Sequence, residues 1–205
     1  MATPHSQPSQ LRNLVVAGFM LVVIACRALP YIVNDQNPLK PLLWGMTPVL
    51  AMFFFGLSQF SKAWMGYAVP LAALVLSDVV LQYTGMAPMQ FRGHLFIYAC
   101  FLASGSLGWW LRWRPSLCTG FILCWAGPLV FFLLSNFGVW FMAETAVLPH
   151  LEYTKDWQGL MQCYLAGLPF LRNDIIGTSL FMAVLFGGWL PIRSWLNVHR
   201  ASMAQ

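Results

Sequence analysis

Long apolar runs, separated by short segments that hold nearly all the charges, constrain this chain more than any other feature. Only 8% of its 205 residues are charged and 59% are hydrophobic, whereas soluble domains carry roughly 25% charged residues. One aqueous core cannot hide that much apolar surface. The sequence therefore predicts an all-α, polytopic integral membrane protein with a single helical transmembrane domain over residues 14–196.

The apolar runs divide into about six predicted transmembrane helices and one shorter segment. The helices are expected near 14–29, 44–60, 63–83, 94–113, 117–143 and 175–196, with Pro30 ending the first. Residues 158–171 are too few to cross about 30 Å of hydrocarbon. They are interpreted as a half-helix, a re-entrant segment, or the start of a helix broken at Pro169.

The flanking segments suggest an orientation. Residues 1–13 are polar and are predicted to be a disordered cytoplasmic tail, and residues 197–205 form a second tail. A signal peptide ending at Cys26 is the alternative interpretation of the first apolar run. The turns at Lys62 and at Arg112 and Arg114 contain no acid, which favours placing both termini in the cytoplasm.

One predicted helix carries an amide and an indole on the same face. Asn136 and Trp140 lie four residues apart in the run 127–142. Hydrocarbon satisfies none of the donors and acceptors of the amide, so Asn136 must face protein, water or a ligand. The pair is either a small-molecule contact or, for Asn136, an interhelical hydrogen bond.

Two charged residues also fall inside or beside the apolar runs. Asp78 lies within the third predicted helix and requires a partner unless it is protonated. Arg27 lies near the end of the first helix. It is either an interfacial anchor or a ligand for an anionic group, and Asp78 is then either its structural partner, a helix cap or a functional acid.

Most of these polar residues converge if the N-terminus is cytoplasmic. The first, third and fifth helices then end outside, where the fourth and sixth begin. The outer half of the membrane therefore receives Arg27, Asp78, His94, Tyr98, Asn136, Asn173 and Asp174. The sequence predicts one outward-facing cavity lined by these side chains.

Several kinds of chemistry have no motif in this chain. None of the three lysines follows a glycine, so a Walker A loop is missing, and neither HExxH, GxSxG nor CxxCH occurs. The five cysteines show no metal-ligand spacing. The net charge of +5 is scattered singly between apolar runs, unlike a nucleic-acid interface. We expect no catalytic site, metal, cofactor or nucleic-acid partner.

Short motifs resemble those of an uncharacterised family of small bacterial membrane proteins, catalogued as a domain of unknown function. They are RALP (27–30), TPV (47–49), PL (70–71), SD (77–78), SNFGVW (135–140), CY (163–164), PF (169–170) and Asn173. That family is distantly similar to the S components of energy-coupling-factor transporters. The resemblance implies six helices, cytoplasmic termini, the bacterial inner membrane and an outward-facing pocket.

The same resemblance implies partners and a function. An S component associates with a transmembrane coupling subunit and two ATPases, partly through small residues on its first helix, where this chain has Ala17, Leu21 and Ala25. The leading hypothesis is a subunit of an uptake transporter that binds a small molecule within the bilayer. The alternative is a structural or accessory subunit of a larger membrane complex.

The candidate ligand-binding residues follow from these arguments. Asn136 and Trp140 are expected to supply one polar and one stacking contact, and Asp78 and Arg27 either bind polar ligand groups or form an ion pair. Tyr98, Tyr164 and Asn173 are further candidates.

Overall fold

The computed structural model of this chain describes residues 7–87, 91–143 and 153–202, and side chains from 18 to 189 within those ranges except 19, 91 and 92. The described part is all-α, which confirms the predicted class. Its helices are α1 (Gln7–Ile32), α2 (Lys40–Leu43), α3 (Val49–Gln59), α4 (Ala63–Tyr83), α5 (Phe91–Gly105), α6 (Gly108–Trp113), α7 (Leu117–Met142) and α8 (Trp157–Ser202).

Four stretches of helix are long and apolar enough to cross a membrane. They are Ala63–Tyr83, Gly93–Trp113, Leu117–Met142 and Trp157–Trp189. Two shorter apolar stretches, Met20–Ile32 and Val49–Gln59, accompany them. The described residues therefore have the make-up of an integral membrane protein, while the count of six spans stays a prediction.

The first helix is longer at both ends than the sequence predicts. It begins at Gln7, so residues 7–13 are helical rather than part of a disordered tail, and residues 1–6 lie outside the described residues. Pro30 does not end α1, which continues to Ile32. A proline lacks one backbone hydrogen-bond donor. Only Tyr31 and Ile32 follow Pro30 in α1, so the loss of this donor does not disrupt the helix.

The predicted break between residues 158–171 and the last helix is wrong. The structure has one continuous helix, α8, across Pro169 and the polar triplet 172–174. Successive helical side chains leave the axis about 100° apart. Arg172 is exposed, Asn173 is buried and Asp174 is half-buried, so the three side chains point in different directions without interrupting the backbone. Similarly, α8 extends to Ser202 through most of the predicted C-terminal tail, and 203–205 are outside the described residues.

The short helix α3 forms the centre of the bundle. Nine successive residues, from Val49 to Leu57, are buried, although α3 is shorter than the helix predicted at 44–60. It crosses α4 where two glycines meet. A Cβ atom on Gly66 would lie 2.7 Å from the backbone nitrogen of Leu57, and one on Gly56 would lie 2.9 Å from the Cα atom of Gly66. Only glycine at both positions allows the two backbones to approach this closely.

Arg112 binds the backbone at the end of the bundle where α3 connects to α4. Its Nη1 donates to the carbonyl oxygens of Leu57 (3.0 Å) and Phe60 (2.9 Å), and its Nη2 donates to that of Ser61 (3.3 Å). Its guanidinium also lies 5.6 Å from the ring centroid of Trp109. A cation at the last carbonyls of a helix satisfies acceptors that have no intrahelical donor. We call Arg112 and these four residues the turn end.

The predicted fourth helix is divided into α5 and α6 near the turn end. The division falls at Ser106 and Leu107. The Ser106 hydroxyl donates to the Leu102 carbonyl (2.7 Å) and accepts from Tyr67 (3.1 Å). Tyr67 accepts in turn from the indole nitrogen of Trp109 (2.7 Å). These hydrogen bonds connect α4 to α5 and α6 beside the turn end.

Candidate functional site

A cavity of about 460 Å³ lies at the other end of α1, α4 and α7. Its wall is formed by the last turns of α1 and α7, by α8, by residues 43–47, by Tyr153, and by one position of α4 and two of α5. The lining residues are Cys26, Arg27, Pro30, Tyr31, Leu43, Trp44, Gly45, Thr47, Leu81, Ile97, Phe101, Phe131, Ser135, Asn136, Val139, Tyr153, Cys163, Ala166, Gly167, Phe170 and Asp174. We call this region the cavity end.

Aromatic side chains form much of the cavity wall. Tyr31 and Trp44 meet edge to face with ring centroids 5.1 Å apart. Phe101 and Phe131 are stacked with centroids 4.2 Å apart, and Phe170 adds a further ring. A concave site of this size, mostly apolar with a few polar groups, is typical of small-molecule sites.

An ion pair predicted as one of two alternatives forms beside the cavity. Arg27 Nη2 donates to Asp78 Oδ1, and the Tyr98 hydroxyl donates to Asp78 Oδ2 at 2.6 Å. Asp78 is only 4% exposed and does not line the cavity, whereas Arg27 does. Three of the predicted site residues therefore come together, and both carboxylate oxygens of Asp78 have a donor.

The hydrogen bonds of Arg27 remain incomplete. Its Nε is buried and has no acceptor among the described residues. An arginine offers five donors, and a buried donor without an acceptor costs free energy. Arg27 is thus bonded to α4 through Nη2 and is one of the residues that line the cavity, while its buried Nε has no acceptor among the described residues.

Asn136 lines the cavity and also packs between two helices. Its Nδ2 donates to the Phe132 carbonyl one turn back (2.9 Å), and its backbone carbonyl accepts from the Cys163 thiol at 3.3 Å. A Cβ atom on Gly167 would lie 2.5 Å from Asn136 Oδ1, so α8 needs a glycine there. The Asn136 amide nitrogen therefore bonds within α7, and the hydrogen bond from α8 reaches the backbone carbonyl of Asn136. A small-molecule contact by Asn136 stays a prediction.

Asp174 is a cavity-lining acid that the sequence analysis grouped with the polar residues but did not select. It is half-buried on α8, and no hydrogen bond or ion pair to its carboxylate occurs within the described part of the chain. A Cβ atom on Gly45 would lie 3.6 Å from Asp174 Oδ1 and 3.3 Å from the Phe170 carbonyl oxygen. Gly45 has a φ of +87°, a conformation that favours glycine, so no side chain at this position contacts the carboxylate.

Asn173 does not line the cavity but binds the segment 41–44, which lies at the cavity wall. Its side-chain nitrogen donates to the carbonyl oxygens of Pro41 and Trp44, each at 2.8 Å. The side chain is 1% exposed. Asn173 therefore fixes residues 41–44 against α8, which positions Trp44 and Gly45 at the cavity wall.

Trp140 lies outside the cavity wall, at the junction of α7 and α8. Its indole nitrogen donates to the Thr154 carbonyl at 2.9 Å, and the Lys155 ammonium lies 5.6 Å from its ring centroid. Lys155 also donates to the carbonyl of Ala143 at 2.9 Å, beyond the last residue of α7. Tyr164 does not line the cavity either, and its hydroxyl donates to the Leu133 carbonyl at 2.9 Å.

The start of α8 is fixed by a capping acid next to Trp140. Asp156 Oδ1 accepts from the backbone nitrogen of Gly159 (2.7 Å) and from the Thr154 hydroxyl (2.8 Å). These hydrogen bonds, that from Gly159 first, hold the pKa of Asp156 below its usual value. Polar groups therefore fix the first residue of α8. Trp140, which lies beside them, does not line the cavity.

Neither a metal centre nor a catalytic constellation emerges from the described side chains. Within the described ranges, no three His, Cys, Asp or Glu residues are close enough to hold a metal ion. The cavity wall offers instead a guanidinium, a carboxylate, an amide and hydroxyl groups, which suit reversible binding of a polar molecule.

Comparison with known proteins gives a family and no activity. The sequence model of a family described as "Family of unknown function (DUF6580)" matches residues 7–199. No curated protein and no solved structure matches the chain. The resemblance to an uncharacterised family is thus confirmed, while the similarity to S components and the bacterial origin stay predictions.

Proposed function

The chain belongs to the DUF6580 family of unknown function, and we propose that it binds a small molecule inside a membrane-embedded helical bundle, as the substrate-binding subunit of an uptake transporter. The observation that carries this proposal is the cavity of about 460 Å³ lined by Arg27, Ser135, Asn136 and Asp174. Charged and amide groups that face a cavity in an apolar protein are costly unless a ligand or water satisfies them.

The cavity is large enough for a small organic molecule. Ligand pockets are typically about 300–1,000 Å³. Ring faces from Phe101, Phe131 and Phe170 provide contacts for an apolar body, and the polar groups fix its orientation. Pro30, Gly45 and Gly167 add no polar side chain, so the specificity rests on few residues.

The transport step of the proposal requires partners. The sequence has no Walker A motif, so energy from ATP would have to come from separate ATPases acting through a transmembrane coupling subunit. We place the protein in the bacterial inner membrane with cytoplasmic termini and the cavity facing outward. The exposed face of α1 at Leu21 and Ala25 is available to a coupling subunit.

Native mass spectrometry of the gently purified full chain tests whether the cavity retains a molecule. The informative variant is Ala166→Phe, because Ala166 lines the cavity and a phenyl group there would occupy part of the space available to a ligand. Ala183→Phe is the matched control, since Ala183 is an exposed residue of the same helix and is not part of the cavity wall.

The proposal predicts an adduct of small mass on the wild type and on Ala183→Phe that Ala166→Phe lacks. The mass of that adduct would narrow the identity of the ligand. Retention of the same adduct by Ala166→Phe, with both variants folded, would show that the molecule binds elsewhere and would remove the basis for the proposal.

A second candidate function is that of an accessory subunit in a larger membrane complex. It is favoured by the close packing around residues 135–140, where a Cβ atom on Gly138 would collide with the Phe96 ring and Asn136 rests on Gly167. In this case the SNFGVW segment is a packing motif. A fixed protein partner other than an ATPase module, recovered with both Ala166→Phe and wild type, would favour this candidate.

A further inference from the structure

The charges at the cavity indicate which class of ligand it accepts. We propose that the ligand carries a protonated amine, and that Asp174 is the group that pairs with it. This inference rests on the proposed function, because it assumes that the cavity binds a small molecule. It adds the charge of the ligand and the residue that selects it.

Two of the residues that line the cavity, Arg27 and Asp174, have ionisable side chains. The positive charge of Arg27 is already matched by Asp78, which is buried and also accepts from Tyr98. The Asp174 carboxyl group has neither an ion-pair partner nor a hydrogen-bond donor within the described residues. A protonated amine would supply that partner, whereas an anionic ligand would find the guanidinium of Arg27 already bound to Asp78.

The second step concerns access to Asp174. Gly45 lies next to Asp174 in the cavity wall, and a Cβ atom on Gly45 would lie 3.6 Å from Asp174 Oδ1. Asn173 holds that part of the chain in place through the Pro41 and Trp44 carbonyls. The backbone beside the carboxylate is therefore held in place, and Gly45 has a φ of +87°, which favours glycine, so position 45 adds no side chain next to Asp174.

The third step distinguishes an organic amine from a metal cation. The cavity is many times larger than a bare ion and its wall is rich in aromatic rings, among them Trp44 and the stacked pair Phe101 and Phe131. Ring faces attract an ammonium group and also pack against an apolar body. The described residues around Asp174 hold no group of three His, Cys, Asp or Glu side chains that could bind a metal ion. The geometry therefore matches an amine attached to an apolar or aromatic body.

Three probes with one shape and three charges test this inference. They are phenethylamine, which is cationic, 2-phenylethanol, which is neutral, and 3-phenylpropanoate, which is anionic. Binding to the purified full chain is measured as the concentration-dependent rise in the thermal unfolding midpoint, followed by intrinsic tryptophan fluorescence. We expect phenethylamine to raise the midpoint most and 3-phenylpropanoate least.

Variants at the acid assign the effect to Asp174. Asp174→Asn should weaken phenethylamine binding roughly 10- to 100-fold, the range expected when a hydrogen bond to a charged group is lost. Asp174→Glu should keep the preference for the amine. The control is Asp156→Asn, because Asp156 is an exposed acid that caps α8 away from the cavity wall. It should bind phenethylamine as the wild type does.

The outcomes separate this inference from the proposed function. If Asp174→Asn binds phenethylamine as well as wild type does, or if 3-phenylpropanoate binds as tightly as the amine, the charge assignment is wrong and the cavity remains a binding site. If none of the three probes shifts the midpoint at millimolar concentration, the amine assignment is also overturned. The adduct experiment with Ala166→Phe then decides independently whether the cavity binds anything.

Discussion

Two arginines at opposite ends of the bundle show how the same side chain serves two purposes. At the turn end, Arg112 donates to three backbone carbonyls and lies over an indole ring. At the cavity end, Arg27 bonds to one carboxylate, and its Nε has no acceptor among the described residues. Arg112 satisfies backbone acceptors, whereas Arg27 lines a cavity and keeps a buried Nε without an acceptor among the described residues. The presence of a charge in or beside an apolar helix therefore does not by itself indicate a binding site.

The largest expected effect follows from breaking the ion pair at the cavity end. Arg27→Gln leaves the buried Asp78 carboxylate without its cation, which should reduce the free energy of unfolding by about 3–5 kcal/mol. The measurement is denaturant-induced unfolding in detergent. The double variant with Asp78→Asn should recover most of that loss, because it removes the unpaired charge. A single variant as stable as wild type would mean that the ion pair does not form.

The matching change at the turn end should affect stability and leave binding intact. Arg112→Ala leaves three carbonyl oxygens without a donor and should reduce the free energy of unfolding by about 1.5–3 kcal/mol. Arg112→Lys should recover only part, since an ammonium lacks the planar fork of a guanidinium. The midpoint shift caused by phenethylamine should be unchanged in both. Loss of that shift would contradict the division of the molecule into a structural end and a binding end.

The close packing beside the turn end provides a third comparison. Gly66→Ala puts a methyl group 2.7 Å from the backbone of α3 and should cost about 1–3 kcal/mol of unfolding free energy. Gly187→Ala is the control, because a Cβ atom there has no neighbour within 4 Å. Its higher helix propensity should make it neutral or stabilising by up to about 1 kcal/mol. Equal effects of the two substitutions on thermal unfolding would show that α3 and α4 do not meet at these glycines.

The smallest effect is expected where the sequence predicted a ligand contact and the structure shows a helix junction. Trp140→Phe keeps an aromatic ring but loses the hydrogen bond to Thr154, which should cost about 0.5–1.5 kcal/mol. Retention of the native adduct and of phenethylamine should not change, since Trp140 does not line the cavity. A loss of binding measured by calorimetry would restore the original assignment of Trp140 as a stacking residue.

The helices that depend on hydropathy alone could be predicted well from the sequence. The third predicted helix coincides with α4, and the fifth differs from α7 by one residue. The pairing of Arg27 with Asp78 was also accessible, because an intramembrane acid requires a partner and the predicted topology places both residues in the same half of the membrane. In these cases one strong physical term, the cost of exposing a polar group to hydrocarbon, determines the answer.

The remaining features depend on directions and contacts that hydropathy does not contain. The polar triplet 172–174 suggested a break because hydropathy ignores that its three side chains point in different directions around α8. Trp140 shares a helix with Asn136, yet its partner Thr154 belongs to the next connecting segment. Asp174 was not predicted to bind a ligand, because hydropathy does not show that it shares a cavity wall with Arg27 and Gly45, which are distant in sequence.

We expect the cavity end to be open to solute and the buried core to be closed, and the reactivity of single cysteines tests this difference. Cys26 lines the cavity, whereas Cys124 is buried on α7 and does not. Variants that keep only one of these cysteines, purified in detergent, are treated with the cationic thiol reagent MTSET, and labelling is followed by mass spectrometry. We predict that Cys26 reacts readily, that phenethylamine slows its reaction, and that Cys124 remains unlabelled until the protein unfolds. If Cys26 in the folded protein reacts as slowly as Cys124, the cavity is not a solute-accessible site and the account is contradicted.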